Sequence, residues 1–86
     1  MELSELRARI DIVNDEILKL FLERMDLVEQ IGDYKKAHGL PTLDRKREEA
    51  ILQKVADSTE EEYRSYAIKF FKYIMDLGKE YQDTLR

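Results

Sequence analysis

From Leu3 to Tyr34 the chain carries one apolar stripe at helical spacing, and that stripe limits every fold it can adopt. Leu3, Leu6, Ile10, Val13, Ile17, Leu20, Arg24, Leu27, Ile31 and Tyr34 follow one another at alternating steps of three and four. This is one face of an α-helix, held for more than four heptads, with no Gly or Pro before Gly32. Phe21 and Val28 widen the stripe, while Ile12, Leu18, Leu22 and Met25 lie off it. The middle of the helix is therefore expected to be buried on more than one side. At ~1.5 Å per residue, a helix over 3–36 is about 50 Å long. A compact domain of 86 residues has a radius of gyration of only ~12 Å, so such a helix overhangs it. The rest of the chain is too short to cover the far half easily. A second copy of the chain could.

His38-Gly39-Leu40-Pro41-Thr42 is the one clear break, with Gly ending the helix and Pro preventing its continuation. A second helix is expected from about Asp44 to Ala56, burying Ala50, Ile51 and Val55. Ser58 with Glu61, or Thr59 with Glu62, makes a capping box for a third helix, and the acidic run suits its positive end. That helix extends to about Leu85, with Tyr63, Ala67, Phe70, Ile74, Leu77 and Tyr81 on one face. No internal repeat, low-complexity segment or credible strand is present. The expected architecture is all-α: one domain over 1–86, built of a long, a short and a long helix.

Composition agrees. The chain is 43% hydrophobic and 40% charged with 3 Gly and 1 Pro, a balance suited to long amphipathic helices. A chain this short buries too little apolar surface alone for comfort, which again favours self-association. The absence of cysteine excludes disulfides and thiolate metal sites and fits a reducing compartment. No segment approaches the ~20 apolar residues of a membrane span, and MELSELRARI lacks a signal peptide's apolar core. A cytoplasmic protein with no membrane partner is the expectation. The net charge of −4 argues against a nucleic-acid partner, although an acidic total can hide a local cationic pocket.

Arg24 is the position that packing does not explain, because it stands where the stripe asks for leucine. A charge in an apolar seam needs an anionic partner or a route to water. It either snorkels or pairs with a Glu to set register, or the seam opens there into an anion-binding pocket. Lys35 projects from nearly the same face about 16 Å further along. Arg7 flanks the seam about 25 Å the other way, too far to share that pocket except from a partner chain; taken alone, Lys35 and Arg7 read as solvated helix charges. Asp44, Arg47 and Glu48 share one face of the second helix's first turn, an arrangement equally typical of surface ion pairs. Phe71, Met75, Gly78 and Gln82 align on the third helix. An interior Gly costs a helix roughly 1 kcal/mol relative to Ala, so Gly78 suggests close approach by a backbone or ligand; tight packing beside a surface Gln is the plainer alternative. His38 has no second histidine, so no histidine-based metal site is expected, and no phosphate loop or nucleophile motif is present.

Taken in order, LRARID with Arg7, LERMDLVEQIGDYK with Arg24 and Lys35, LPTLDRKRE with Asp44, Arg47 and Glu48, and the late Gln82 resemble the all-helical class of chorismate mutases. The resemblance covers nearly the whole chain and rests on order and spacing together. It implies an intertwined homodimer of three-helix chains with two sites, each borrowing an arginine from the partner's first helix. The implied reaction is the Claisen rearrangement of chorismate to prephenate, on the route to phenylalanine and tyrosine, with no cofactor and no metal. By resemblance, Arg7 of the partner chain and Arg24 bind the substrate carboxylates. Lys35 bridges a carboxylate and the ether oxygen, and Gln82 donates to that oxygen from the opposite side. Arg47 completes the cationic cradle, Glu48 with the helix start at Asp44 takes the ring hydroxyl, and Ile31 forms an apolar wall. Gly78 departs from the pattern, since many relatives place Ser there, and a hydroxyl contact to the substrate is then missing. Two alternatives stand beside this expectation: isochorismate-pyruvate lyase, which shares the fold, and a non-catalytic helical dimerisation module.

Overall fold

The long stripe forms one uninterrupted helix. In the computed structural model, which describes residues 1–85, α1 runs Leu3–Ala37, α2 runs Arg45–Asp57 and α3 runs Glu61–Thr84. No strand occurs among the described residues, so the long–short–long all-α expectation holds. None of the three helices is long and apolar enough to cross a membrane.

The first break is a Schellman turn. Gly39 adopts φ +66°, a left-handed conformation that costs other residues a steric clash with Cβ. Its N–H reaches the Lys36 carbonyl at 3.4 Å, and the Leu40 N–H reaches that of Lys35 at 2.8 Å. Asp44 then caps α2 by accepting the Arg47 backbone N–H at 3.0 Å.

The capping box expected at the second break does not form. Ser58 is the last residue associated with α2, and the Thr59 hydroxyl donates backwards to the Val55 carbonyl at 2.6 Å. Glu60 occupies the N-cap of α3 without a side-chain cap. The reason is competition, because two helix ends meet within three residues and the free carbonyls of α2 claim the local donors. Arg64 joins in from α3, giving Nε to Ala56 O at 2.9 Å and Nη2 to Thr59 O at 3.0 Å. Glu61 and Glu62 still lie in the first turn of α3, where the helix dipole favours acids.

α3 packs on both other helices, and the small core lies where the C-terminal halves of α1 and α3 meet. Val28 and Met75 are its buried apolar side chains, joined by Gly78 and Gln82. The face of α3 that faces inward is thus the Met75–Gly78–Gln82 line. The expected Tyr63–Ala67–Phe70–Ile74–Leu77–Tyr81 face is at most half-buried, with Tyr63 and Phe70 exposed. On α2, Ile51 and Val55 are half-buried and Ala50 is exposed, so none is buried as expected. Both corrections have one cause: α3 carries two apolar lines, and a single chain has partners for only one.

The N-terminal half of α1 is left bare. Leu3, Ile10 and Leu20 are 60%, 59% and 59% exposed, and the expected burial of mid-helix Ile12, Leu18 and Leu22 does not occur within one chain. The radius of gyration is 16.0 Å and the extents are 54 × 26 × 15 Å. The accessible surface is 7221 Å², against roughly 5,400 Å² for a folded monomer of this mass.

Candidate active site

The Schellman turn, the α2 cap and the α1–α3 core bring three helices together around one open cleft of about 270 Å³. α1 supplies Arg24, Ile31 and Lys35. The start of α2 supplies Asp44, Arg47 and Glu48, and α3 supplies Gly78 and Gln82. Every site residue expected from the sequence lies there except Arg7. Arg7 sits on the bare half of α1 and is exposed, as its distance along the helix requires.

Arg24 is half-buried, and no carboxylate lies within ion-pair distance of it among the described residues. Burial and the nearby Arg47 charge both press its pKa below the ordinary arginine value. The register-setting Glu partner considered above is therefore not found within the chain. Its Nη1 instead lies against Gly78, 3.7 Å from where a Cβ would stand, and the Val28 side chain comes within 3.4 Å of the same point. Gly78 thus admits neighbouring side chains, rather than a backbone, to the floor of the cleft.

Lys35 extends from the last turn of α1 and gives one hydrogen bond to the Thr42 carbonyl at 2.9 Å. An ammonium has three donors, so two remain for a ligand. Gln82 is only 8% exposed and donates from Nε2 to the Val28 carbonyl at 2.9 Å, which fixes its amide and leaves the second N–H. Gly32 makes this possible. A Cβ there would stand 3.1 Å from the Gln82 Cγ.

Two features were not legible beforehand. Gly32 gave no signal beyond being a glycine late in a helix. Lys79 also lines the cleft and bonds both oxygens of Glu48, at 3.0 and 3.3 Å. A lysine one residue after Gly78 and three before Gln82 was the available hint. With it, the cleft holds four cations (Arg24, Lys35, Arg47, Lys79) against two carboxylates (Asp44, Glu48), in a chain of net charge −4. Among the described residues no group of three or more acids and His could hold a metal ion. The arrangement is suited to gripping a small polyanion that also presents a hydrogen-bond donor.

Similarity to known proteins points the same way. The family model for chorismate mutase type II matches residues 6–83. A chorismate mutase of Methanocaldococcus jannaschii is 30% identical over 83 residues, covering 94% of this chain and 84% of that protein. The T-protein of Haemophilus influenzae is 45% identical over 51 residues, and the aligned part of this chain spans only 14% of its length. A bifunctional chorismate mutase/prephenate dehydratase of Aquifex aeolicus is 40% identical over 62 residues, again across only 17% of that protein. The solved structure of chorismate mutase (form II) from Thermus thermophilus superposes with a TM-score of 0.88 at 34% identity, covering 93% of this chain and 92% of that one. With the fold, the cationic cleft and a match over residues 6–83 in agreement, the chain belongs to the chorismate mutase type II family.

Proposed function

We propose that the chain rearranges chorismate to prephenate in the cleft between its three helices, for phenylalanine and tyrosine biosynthesis in the cytoplasm. The observation that carries this reading is the pair Arg24 and Arg47, close enough to repel, with no acid paired to Arg24 among the described residues. A dicarboxylate substrate supplies the missing counter-charge.

A pericyclic rearrangement needs no nucleophile and no proton transfer. It needs the substrate held in its compact reactive conformer and charge stabilised as the ether bond breaks. Guanidinium groups hold carboxylates in a two-pronged, directional way, so Arg24 and Arg47 supply orientation. The free N–H groups of Lys35 and Gln82 stabilise the ether oxygen, whose negative charge grows only in the transition state. Glu48 accepts from the ring hydroxyl beside the α2 start at Asp44, and Ile31 walls the apolar side. Gln82 is already held by the Val28 carbonyl in the space Gly32 leaves, so little reorganisation accompanies the reaction.

The functional unit in this reading is a homodimer, with the partner's Arg7 closing each cleft over the substrate. Its support is the surplus surface of roughly 1,800 Å² over a typical monomer, which exceeds the ~800 Å² that each partner buries in a standard interface. The exposed stripe on α1 is the surface that would be covered.

The test is to incubate the purified protein with chorismate and, separately, with isochorismate, and to measure its mass in solution. Prephenate from chorismate, by a particle of twice the chain mass, is expected. Pyruvate from isochorismate without prephenate would assign the lyase activity instead, and inertness toward both would leave a dimerisation module.

A further inference from the structure

The mutase reading leaves the Lys79–Glu48 pair unexplained. Among the described residues it is the ion pair that joins two different helices, spanning 31 positions from α2 to α3. Its other acid, Asp76, is a local partner one turn back on α3 at 3.3 Å and is far more exposed. Lys79 and Glu48 are 29% and 25% exposed at their side chains, and both line the cleft. A pair formed only for surface solubility has no reason to sit there.

The chemistry of the cleft gives it one. Glu48 is an acid in a pocket for a dianion, and an unpaired carboxylate there repels the ligand and is free to turn toward Arg47 or Arg24. Either outcome weakens the site. Lys79 bonds both Glu48 oxygens from the α3 side, which removes the repulsion and fixes the carboxylate plane. Each oxygen has two lone pairs, so each keeps acceptor capacity for a hydroxyl. The Glu48 bond in turn raises the pKa of Lys79.

We propose that Lys79 is a positioning residue of the chorismate site, which fixes the Glu48 carboxylate as the acceptor for the substrate's ring hydroxyl. This rests on the mutase reading and adds to it a residue that acts through another rather than on the substrate. It assigns hydroxyl recognition to a two-helix clamp, so binding of the hydroxyl depends on the α2–α3 packing as well as on Glu48.

The test is steady-state kinetics with chorismate and with an analogue whose ring hydroxyl is replaced by hydrogen. Wild type is compared with Lys79→Met, Lys79→Arg, Glu48→Gln and the Lys79→Met/Glu48→Gln double variant. Loss of one charge-assisted bond arrangement should raise KM for chorismate about tenfold in Lys79→Met, with a much smaller change in kcat. Lys79→Arg should recover most of the loss. Discrimination between chorismate and the analogue should fall in Lys79→Met, and adding Lys79→Met to Glu48→Gln should cost less than about twofold. Lys79→Gln replaces the Met variant if helicity shows that the latter does not fold. Equal losses on chorismate and analogue, full additivity with Glu48→Gln, or unchanged kinetics would overturn the role of Lys79. Failure of the wild type to turn over chorismate would instead overturn the mutase reading, and the proposal with it.

Discussion

At the scale of single residues, the cleft trades stability for charge placement. Arg24 is a half-buried cation beside a second cation, with no acid partner among the described residues. Arg24→Leu should therefore raise the melting temperature while lowering kcat/KM by at least about a hundredfold, the loss of a two-pronged carboxylate grip. Gly32→Ala should act oppositely on helix and site. Its Cβ improves helix propensity by up to ~1 kcal/mol, but at 3.1 Å from the Gln82 Cγ it must push that side chain. Helicity measured by circular dichroism should hold while kcat falls about tenfold, one misplaced donor to a developing charge. Gly78→Ser meets Val28 at ordinary contact distance, so it should fold normally and lower KM about threefold or more by adding a hydroxyl donor. Arg24 was legible in the sequence because it interrupts a stripe. Lys79 was not, because a lysine on an amphipathic helix is ordinary until its partner 31 positions away is known.

At the scale of elements, the breaks that read correctly were those fixed by one residue's backbone. Gly39 at φ +66° ends α1, and Asp44 caps α2 through its own carboxylate. The α2–α3 junction misread because two helix ends compete there for one hydroxyl, and Thr59 serves the end behind it. The inward face of α3 was ambiguous for a related reason: it carries two apolar lines, and only packing selects between them. The Lys79–Glu48 tether between α2 and α3 has a pH signature. The pKa of Lys79 is raised above 10.5, chiefly by its bond to Glu48 and also by Asp76. Its stabilisation is therefore fully present below the unfolded value and is lost as pH rises through the higher folded value. Melting temperatures of wild type and Lys79→Met should differ by a constant amount through neutral pH and converge above 10.5. Activity itself should not need acid, because the Gln82 amide donates at every working pH.

At the scale of the whole molecule, the chain is extended, with a radius of gyration of 16.0 Å. One half of α1 carries Leu3, Leu6, Ile10, Val13 and Ile17 into open space, and Arg7 rides on that same half. In the proposed homodimer, covering that stripe with a second copy and closing the cleft with its Arg7 are one event. Folding stability should accordingly depend on protein concentration, with the melting temperature rising on each tenfold increase. The stripe itself was readable as helical from its period, and its overhang from its length. Which residues face that partner is not a property of one chain's periodicity.

The most direct measurement mixes two inactive chains, Arg7→Ala and Lys35→Ala, under conditions where subunits exchange, and follows chorismate consumption. In a hybrid dimer one site has both Arg7 and Lys35, and the other has neither. Equal mixing makes half of the dimers hybrids, so about a quarter of wild-type activity should return. No recovery despite demonstrated exchange would contradict a chorismate site shared between two copies of this chain.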